Sequence, residues 1–250
     1  MDLFEYQGKQ FLSRLGVTVP HGAVADEPDH AVSAAESLGY PVAVKAQVRV
    51  GGRGKAGGIR LAHDSSEVRA AAEAILGLDI RGHVVRRLWL EGAADVAEEY
   101  YASFTVDRAN RRYLGMVSAR GGVDIEEVAA TDPEAISRLP ISPGEGLTTD
   151  AARRLAEDAG LALDVLDQAA GMLVDLFRAF TEGDAELVEV NPLIVTGERR
   201  LVALDAKVSL DDSARFRHPE WEAWATAEWH DERERRARER GLNYVGLSGT

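Results

Sequence analysis

An α+β protein is expected from three observations. Runs rich in β-branched and aromatic residues come in pairs joined by turn chemistry, at 98–106 with 111–119 and at 185–195 with 200–208. Helical periodicity is interspersed among these runs instead of following each in turn, which argues against a doubly wound parallel sheet. Of 250 residues, 45% are hydrophobic and 28% charged, enough to bury a sizeable core and too apolar for wholesale disorder.

Residues 1–16 read as an amphipathic helix carrying Phe4, Phe11, Leu12 and Leu15 and stopped by Gly16. Asp26 is placed to cap a helix that starts near Pro28 and ends before Gly39. PVAVKAQV (41–48) reads as a buried strand, followed by a glycine-dense stretch at 51–58 and a short strand at 58–62. Asp64 and Glu67 form a capping-box pattern for an alanine-rich helix that stops at Gly77. Residues 84–90 read as one strand, and Asp107-Arg108-Ala109-Asn110 supplies the turn of the hairpin that follows. Pro140, Pro143, Gly144 and Gly146 mark a loop. Two helices are expected at 150–159 and 163–181, the second with Leu166, Ala170, Leu173, Phe177 and Phe180 on one face. A hairpin about Gly197-Glu198 follows. Pro219 then opens a last helix, with Trp221, Ala225 and Trp229 on one face and a solvated Glu/Arg run at 231–240. There is no internal repeat.

Composition narrows the chemistry. The absence of cysteine excludes disulfides, thiolate metal sites and a cysteine nucleophile, and fits a cytoplasmic location. No window approaches 18 uninterrupted apolar residues, so no membrane span is expected, and the acidic start is unlike a signal peptide. With 29 basic against 42 acidic side chains the net charge is −13, which disfavours nucleic acid as a partner. An anionic ligand would need a local island of positive charge.

Three stretches carry chemistry. KAQVRVGGRGKAGG (45–58) places five glycines, two arginines and two lysines in 14 positions, so that backbone amides and cations can approach a polyphosphate. It matches neither the P-loop nor GxGxxG, and a plain flexible loop remains open. LWLEGAADVAEE (88–99) has the form of a hinge between two lobes. Backbone groups at 90–92 could pair with a purine edge there, and Glu91 or Glu99 could accept from ribose; a bulged connection with solvated acids is the alternative. In LVEVNPLIV…LVALDAK (187–207), counting from Glu198 makes Asn191 the cross-strand neighbour of Asp205, and Glu189 that of Lys207. A neutral and an anionic oxygen at one spot suit Mg²⁺ bridging nucleotide phosphates, whereas Glu189 would be neutralised by Lys207. A structural salt-bridge network is the competing reading.

These stretches, together with MDLFEYQGKQFLSRLGV, GGVDIEEVA and LNYVGLSG, resemble the ATP-grasp fold. In detail they resemble the beta subunits of ADP-forming succinyl-CoA synthetases, across nearly the whole chain. The resemblance implies two lobes with ATP/ADP (or GTP/GDP) between them, residues 1–240 forming the ATP-grasp domain and a smaller lobe at about 21–95. It implies that Lys45 contacts phosphate under a loop of Gly52, Arg53 and Gly54. Glu91 and Ala94 would meet the adenine, Glu99 the nucleotide, and Asn191 and Asp205 would hold Mg²⁺. No residue of this chain is a nucleophile in that scheme. Phosphoryl passes to a histidine of a partner alpha subunit, and none of the six histidines here lies in a phosphate-cradling context. Residues 241–250 would open a ligase domain that the chain lacks, leaving it able to bind Mg-nucleotide but not to turn over alone. Ala94 and Arg49 stand where the pattern has a hydroxyl and a histidine. A malate–CoA or other acyl-CoA ligase subunit, a stand-alone carboxylate–amine ligase and a non-catalytic nucleotide sensor are the alternatives.

Overall fold

The computed structural model describes residues 1–225 together with 233, 236, 237, 240–242 and 244. They fall into two compact units, Asp2–Leu210 and a second made of Met1 with the chain from Asp211 onward.

The first unit opens with α1 (Glu5–Arg14), after which Gly16 turns the chain at φ +92°. Next come β1 (Gly22–Ala25) and α2 (Pro28–Leu38). Because Pro28 occupies the first helical position, the cap is Glu27; the Asp26 carboxylate expected there instead meets His30 at 2.9 Å on the surface. Then follow β2 (Val42–Ala46), β3 (Ile59–Ala62) and α3 (Ser65–Ile75). Asp64 caps α3 by accepting from the Glu67 N–H at 2.9 Å, and the Glu67 carboxylate reaches back to the His63 N–H at 2.8 Å.

The single strand expected at 84–90 is divided. β4 (Asp79–Ile80) and β5 (His83–Val84) make a short ribbon, and β6 (Leu88–Gly92) joins a different sheet. The break falls at Val85, whose backbone bonds to Leu78 and Gly77 and draws the chain away from a continuous ladder. β7 (Val96–Asp107) and β8 (Arg112–Ser118) form the expected hairpin, closed by Asp107 opposite Arg112.

Besides the short strands β1 and β4, two later elements were not anticipated. α4 (Ile125–Thr131) is only seven residues long. β9 (Ser137–Ile141) contains Pro140, which was expected in a loop. A proline is tolerated there because β9 lies at the sheet edge, where one side of the backbone needs no partner. α5 (Thr149–Asp158) and α6 (Leu166–Glu182) follow, then β10 (Ala185–Thr196), β11 (Leu201–Ala203) and β12 (Ala206–Leu210).

Two antiparallel sheets organise this unit. The smaller has the order β1-β6-β2-β3; the larger has the order β11-β10-β7-β8-β9, with β12 also paired to β10. One face of the small sheet buries Val42, Val44, Leu88 and Leu90 against Ala31 and Ala35 of α2 and Val68, Ala72 and Ile75 of α3. The expected stripe of α6 is buried throughout, with Phe177 edge-on to Phe104 at 5.4 Å and Phe180 edge-on to Tyr113 at 5.2 Å.

In the second unit, turns at Asp212–Arg217 and Pro219–Trp221 lead into a helix over Glu222–Ala225. Trp221 is buried there and stacks on His218 at 4.2 Å. Trp229 and most of the run at 231–240 lie outside the described residues. No described helix is long and apolar enough to cross a membrane.

Candidate functional site

Alternation along β2 sends Val44 and Ala46 into the core beneath the small sheet and Lys45 to the opposite face. Lys45 is buried, and its Nζ lies 3.0 Å from Glu5 Oε1, 2.5 Å from Glu91 Oε1 and 3.2 Å from the Leu204 carbonyl. Burial alone would push this ammonium down. The Glu5, Glu91 and Asp205 carboxylates outweigh burial and hold it above its ordinary value.

Arg53 is the one buried residue within the otherwise exposed run 51–57. Its guanidinium donates to Glu5 Oε2, to the Ala46 carbonyl at 3.1 Å and to Asp205 Oδ2 at 2.6 Å. The loop therefore turns a single cation inward while Gly52, Gly54 and Lys55 stay at the surface. Lys9, only 1% exposed, completes the cluster by bridging Glu5 at 2.7 Å and Glu91. Three cations (Lys9, Lys45, Arg53) thus face three carboxylates (Glu5, Glu91, Asp205), a balance that offsets the cost of burying them.

The backbone at 90–92 is not free to meet a purine edge, contrary to expectation. β6 pairs on both sides, Glu91 with Gly22 and with Ala43, so its backbone is committed to the sheet through Gly92. Ala93, Ala94 and Asp95 then connect this small sheet to β7 of the large one, with Ala94 half-buried. The Glu91 side chain turns into the ion cluster, where it also accepts from Trp89 Nε1 at 2.6 Å. Glu99, by contrast, is exposed on β7. The loop at 121–122 presses on this strand: the Gly121 N–H donates to the Glu99 carbonyl at 3.0 Å, and a Cβ on Gly122 would stand 2.5 Å from Glu99 Oε2.

Hairpin counting gives the observed register. Val190 pairs with Ala206 and Leu193 with Ala203, which sets Asn191 across from Asp205. Their side chains are engaged separately. Asn191 clamps the 122–123 backbone, its Oδ1 accepting from the Gly122 N–H and its Nδ2 donating to the Val123 carbonyl, each at 2.8 Å. Asp205 gives one oxygen to Arg53, and its other oxygen has no hydrogen bond among the described residues. No group of three or more His, Cys, Asp or Glu side chains is placed to hold a metal ion among those residues. Mg²⁺ takes one or two protein carboxylates and fills the rest of its octahedron with phosphate and water, which suits the second Asp205 oxygen, whereas Asn191 Oδ1 is already bonded to the Gly122 N–H.

Glu189 and Lys207 are cross-strand partners as expected, but the expected ion pair is not formed, because the Lys207 side chain stands exposed. Glu189 meets instead the Tyr101 hydroxyl at 3.4 Å, which also donates to Ser103 at 2.9 Å. Burial pushes the Glu189 carboxyl up, and the Lys207 charge offsets this only in part.

Sequence reasoning missed Glu5, Lys9 and Gln47. Gln47 joins the cluster through Glu5 Oε2 at 3.2 Å and accepts from the Tyr6 N–H at 3.1 Å. An i,i+4 Glu–Lys pair beside an apolar stripe carries the same signal as a solvated one, and nothing local marks it as buried.

A family model described as the ATP-grasp domain matches residues 2–195. The chain belongs to this family. Solved structures share the fold at low identity. The dinucleotide-forming acetyl-coenzyme A synthetase 1 of Ca. Korarchaeum cryptofilum, in complex with coenzyme A and Ca-AMPCP, superposes with a TM-score of 0.68 at 17% identity, covering 84% of this chain and 93% of that one. The same enzyme with coenzyme A and Mg-AMPPCP, its phosphohistidine segment pointing towards the nucleotide binding site, gives 0.63 at 17% identity over the same shares. ATP citrate lyase from Methanothrix soehngenii, with citrate and coenzyme A, gives 0.71 at 20% identity, covering 95% of this chain and 59% of that one.

Proposed function

We propose that this ATP-grasp chain is the nucleotide-binding part of an acid–thiol ligase, the beta subunit of an ADP-forming succinate–CoA ligase. In this reading phosphoryl passes between Mg-ATP/ADP and a histidine of a partner alpha subunit. The observation that carries the reading is the meeting of Lys45 and Arg53 with Glu91 and with Asp205, which brings all three chemistry-bearing stretches into one ion cluster. Structural neighbours solved with coenzyme A and a nucleotide analogue, one with its phosphohistidine segment pointing towards the nucleotide binding site, support the ligase assignment.

Phosphoryl transfer of this kind rests on positioning and charge neutralisation, which is what buried cations and loop amides supply. Lys45 would take a phosphate oxygen from β2. Arg53 would exchange Asp205 for phosphate, folding Gly52 and Gly54 over the ligand. Asn191 and Asp205 would hold Mg²⁺, which when bound neutralises the phosphate charge. The backbone at 93–95, with Ala94, would border the base. Glu99, exposed where Glu91 is not, would accept from ribose.

Calorimetric titration with Mg-ADP and Mg-GDP, with and without the metal, tests the nucleotide site. Saturable, Mg²⁺-dependent binding is expected, and absence of binding by both nucleotides would overturn the reading. Transfer of γ-phosphate to an added alpha subunit as acid-labile phosphohistidine then tests the ligase assignment, and comparing succinate with malate in the complete reaction tests the acyl substrate.

A further inference from the structure

Glu5 is the point at which the two phosphate-side cations meet. It is 3% exposed and sits on the first turn of α1, outside every stretch to which phosphate chemistry was assigned. Its two oxygens are divided between the two sides of the site. Oε1 faces Lys9 at 2.7 Å and Lys45 at 3.0 Å; Oε2 faces Gln47 at 3.2 Å and Arg53. Lys45 stands on a strand fixed by pairing on both sides, whereas Arg53 stands on an exposed glycine loop. A carboxylate on a helix thus ties the cation of the loop to the cation of the strand.

Resting on the nucleotide reading above, we propose that Glu5 is a positioning residue. It sets the spacing of Lys45 and Arg53 so that both meet one polyphosphate, and Lys9 tempers its charge. The charge balance explains why Lys9 is needed. Glu5 and Glu91 alone would cancel Lys45 and Arg53 and leave nothing for an anionic ligand. With Lys9 shared between the two carboxylates, one positive charge remains, and Asp205 takes it up through Arg53. Arg53 can then leave Asp205 for phosphate while Glu5 still holds it in register. Losing one charge-assisted bond of this kind costs about tenfold or more in affinity.

A merely structural residue would affect every ligand alike, so the test separates the phosphate-dependent part of binding. Kd values for Mg-ADP and for adenosine are measured on the full chain and on Glu5→Gln, Glu5→Asp and Lys9→Gln, each checked for native circular dichroism. Glu5→Gln is expected to weaken Mg-ADP by about tenfold or more while adenosine stays within about twofold, with Glu5→Asp recovering part of the loss. Where Glu5→Gln does not fold, Lys9→Gln carries the same expectation and Glu5→Asp a smaller loss of the same kind. Equal or tighter Mg-ADP binding by the folded variants, or a parallel loss for adenosine, overturns the proposal. Failure of the unsubstituted chain to bind Mg-ADP overturns the nucleotide reading instead.

Discussion

Glu5, on α1, lies among Lys9, Lys45 and Arg53, while Glu189, on β10, lies beside the Tyr101 hydroxyl with Lys207 across the ladder and out of contact. Both are carboxylates withdrawn from water within one unit, and their proton affinities move in opposite directions. For Glu5, burial would raise the pKa, but three cations overturn burial and hold the carboxyl well below the usual range. For Glu189, burial wins and the carboxyl is pushed up. What decides the state of a buried acid here is the number of cations within contact, because desolvation acts on both in the same sense.

Breaking the well-compensated side should have the largest effect. Glu5→Ala leaves Lys45, Arg53 and Lys9 without their shared carboxylate, and is expected to cost about 3–5 kcal/mol. That should appear as a fall in Tm of roughly 6–20 °C in thermal unfolding. Next is Asp205→Asn, at the rim of the same cluster, where the side chain is 27% exposed. Mg-ADP affinity should fall about 10–100-fold by calorimetry through loss of a charged oxygen ligand, while the Tm changes far less.

The other side of the comparison is sharpened by pH. Because the folded pKa of Glu189 is raised, the native state binds this proton more tightly than the unfolded chain does, so its charged form destabilises the fold at neutral pH. Glu189→Gln should therefore unfold at or above the Tm of the unsubstituted protein at pH 7. The difference should close as pH falls through the folded pKa of Glu189. The Glu5 contribution runs the other way, present above the unfolded carboxylate range and lost only in strong acid. A drop in Tm for Glu189→Gln at pH 7 would mean that Lys207 pairs with Glu189 in solution. Smallest of all should be Arg153→Ala, which removes exposed pairs with Glu157 on α5 and with Asp167 on α6 and should shift stability by less than about 1 kcal/mol.

Arg153–Glu157 and Lys9–Glu5 share a sequence spacing, yet one is solvated and the other buried, and that contrast marks the boundary of what could be read from residues alone. Features held by near neighbours were legible. The α6 stripe follows from helical period, the Asp64 cap from a three-residue pattern, and the register opposing Asn191 to Asp205 from a tight turn that fixes every pair behind it. The inward turn of Arg53 from its exposed glycine loop was not legible, since its partners Glu5 and Asp205 lie 48 and 152 residues away. Nor was the tolerance of Pro140 in β9, since it depends on which strand ends up at the sheet edge.

The partners of the buried charges were the least legible. Glu91 meets Lys9 82 residues away, and Arg53 meets Asp205 at a separation of 152. Strand pattern, caps and turns depend on hydrogen bonds and side-chain contacts within a few residues, so they are written locally. The choice of ion partners depends on strand order and on where α1 packs, and at such separations only the assembled tertiary structure decides which cation stands beside which carboxylate.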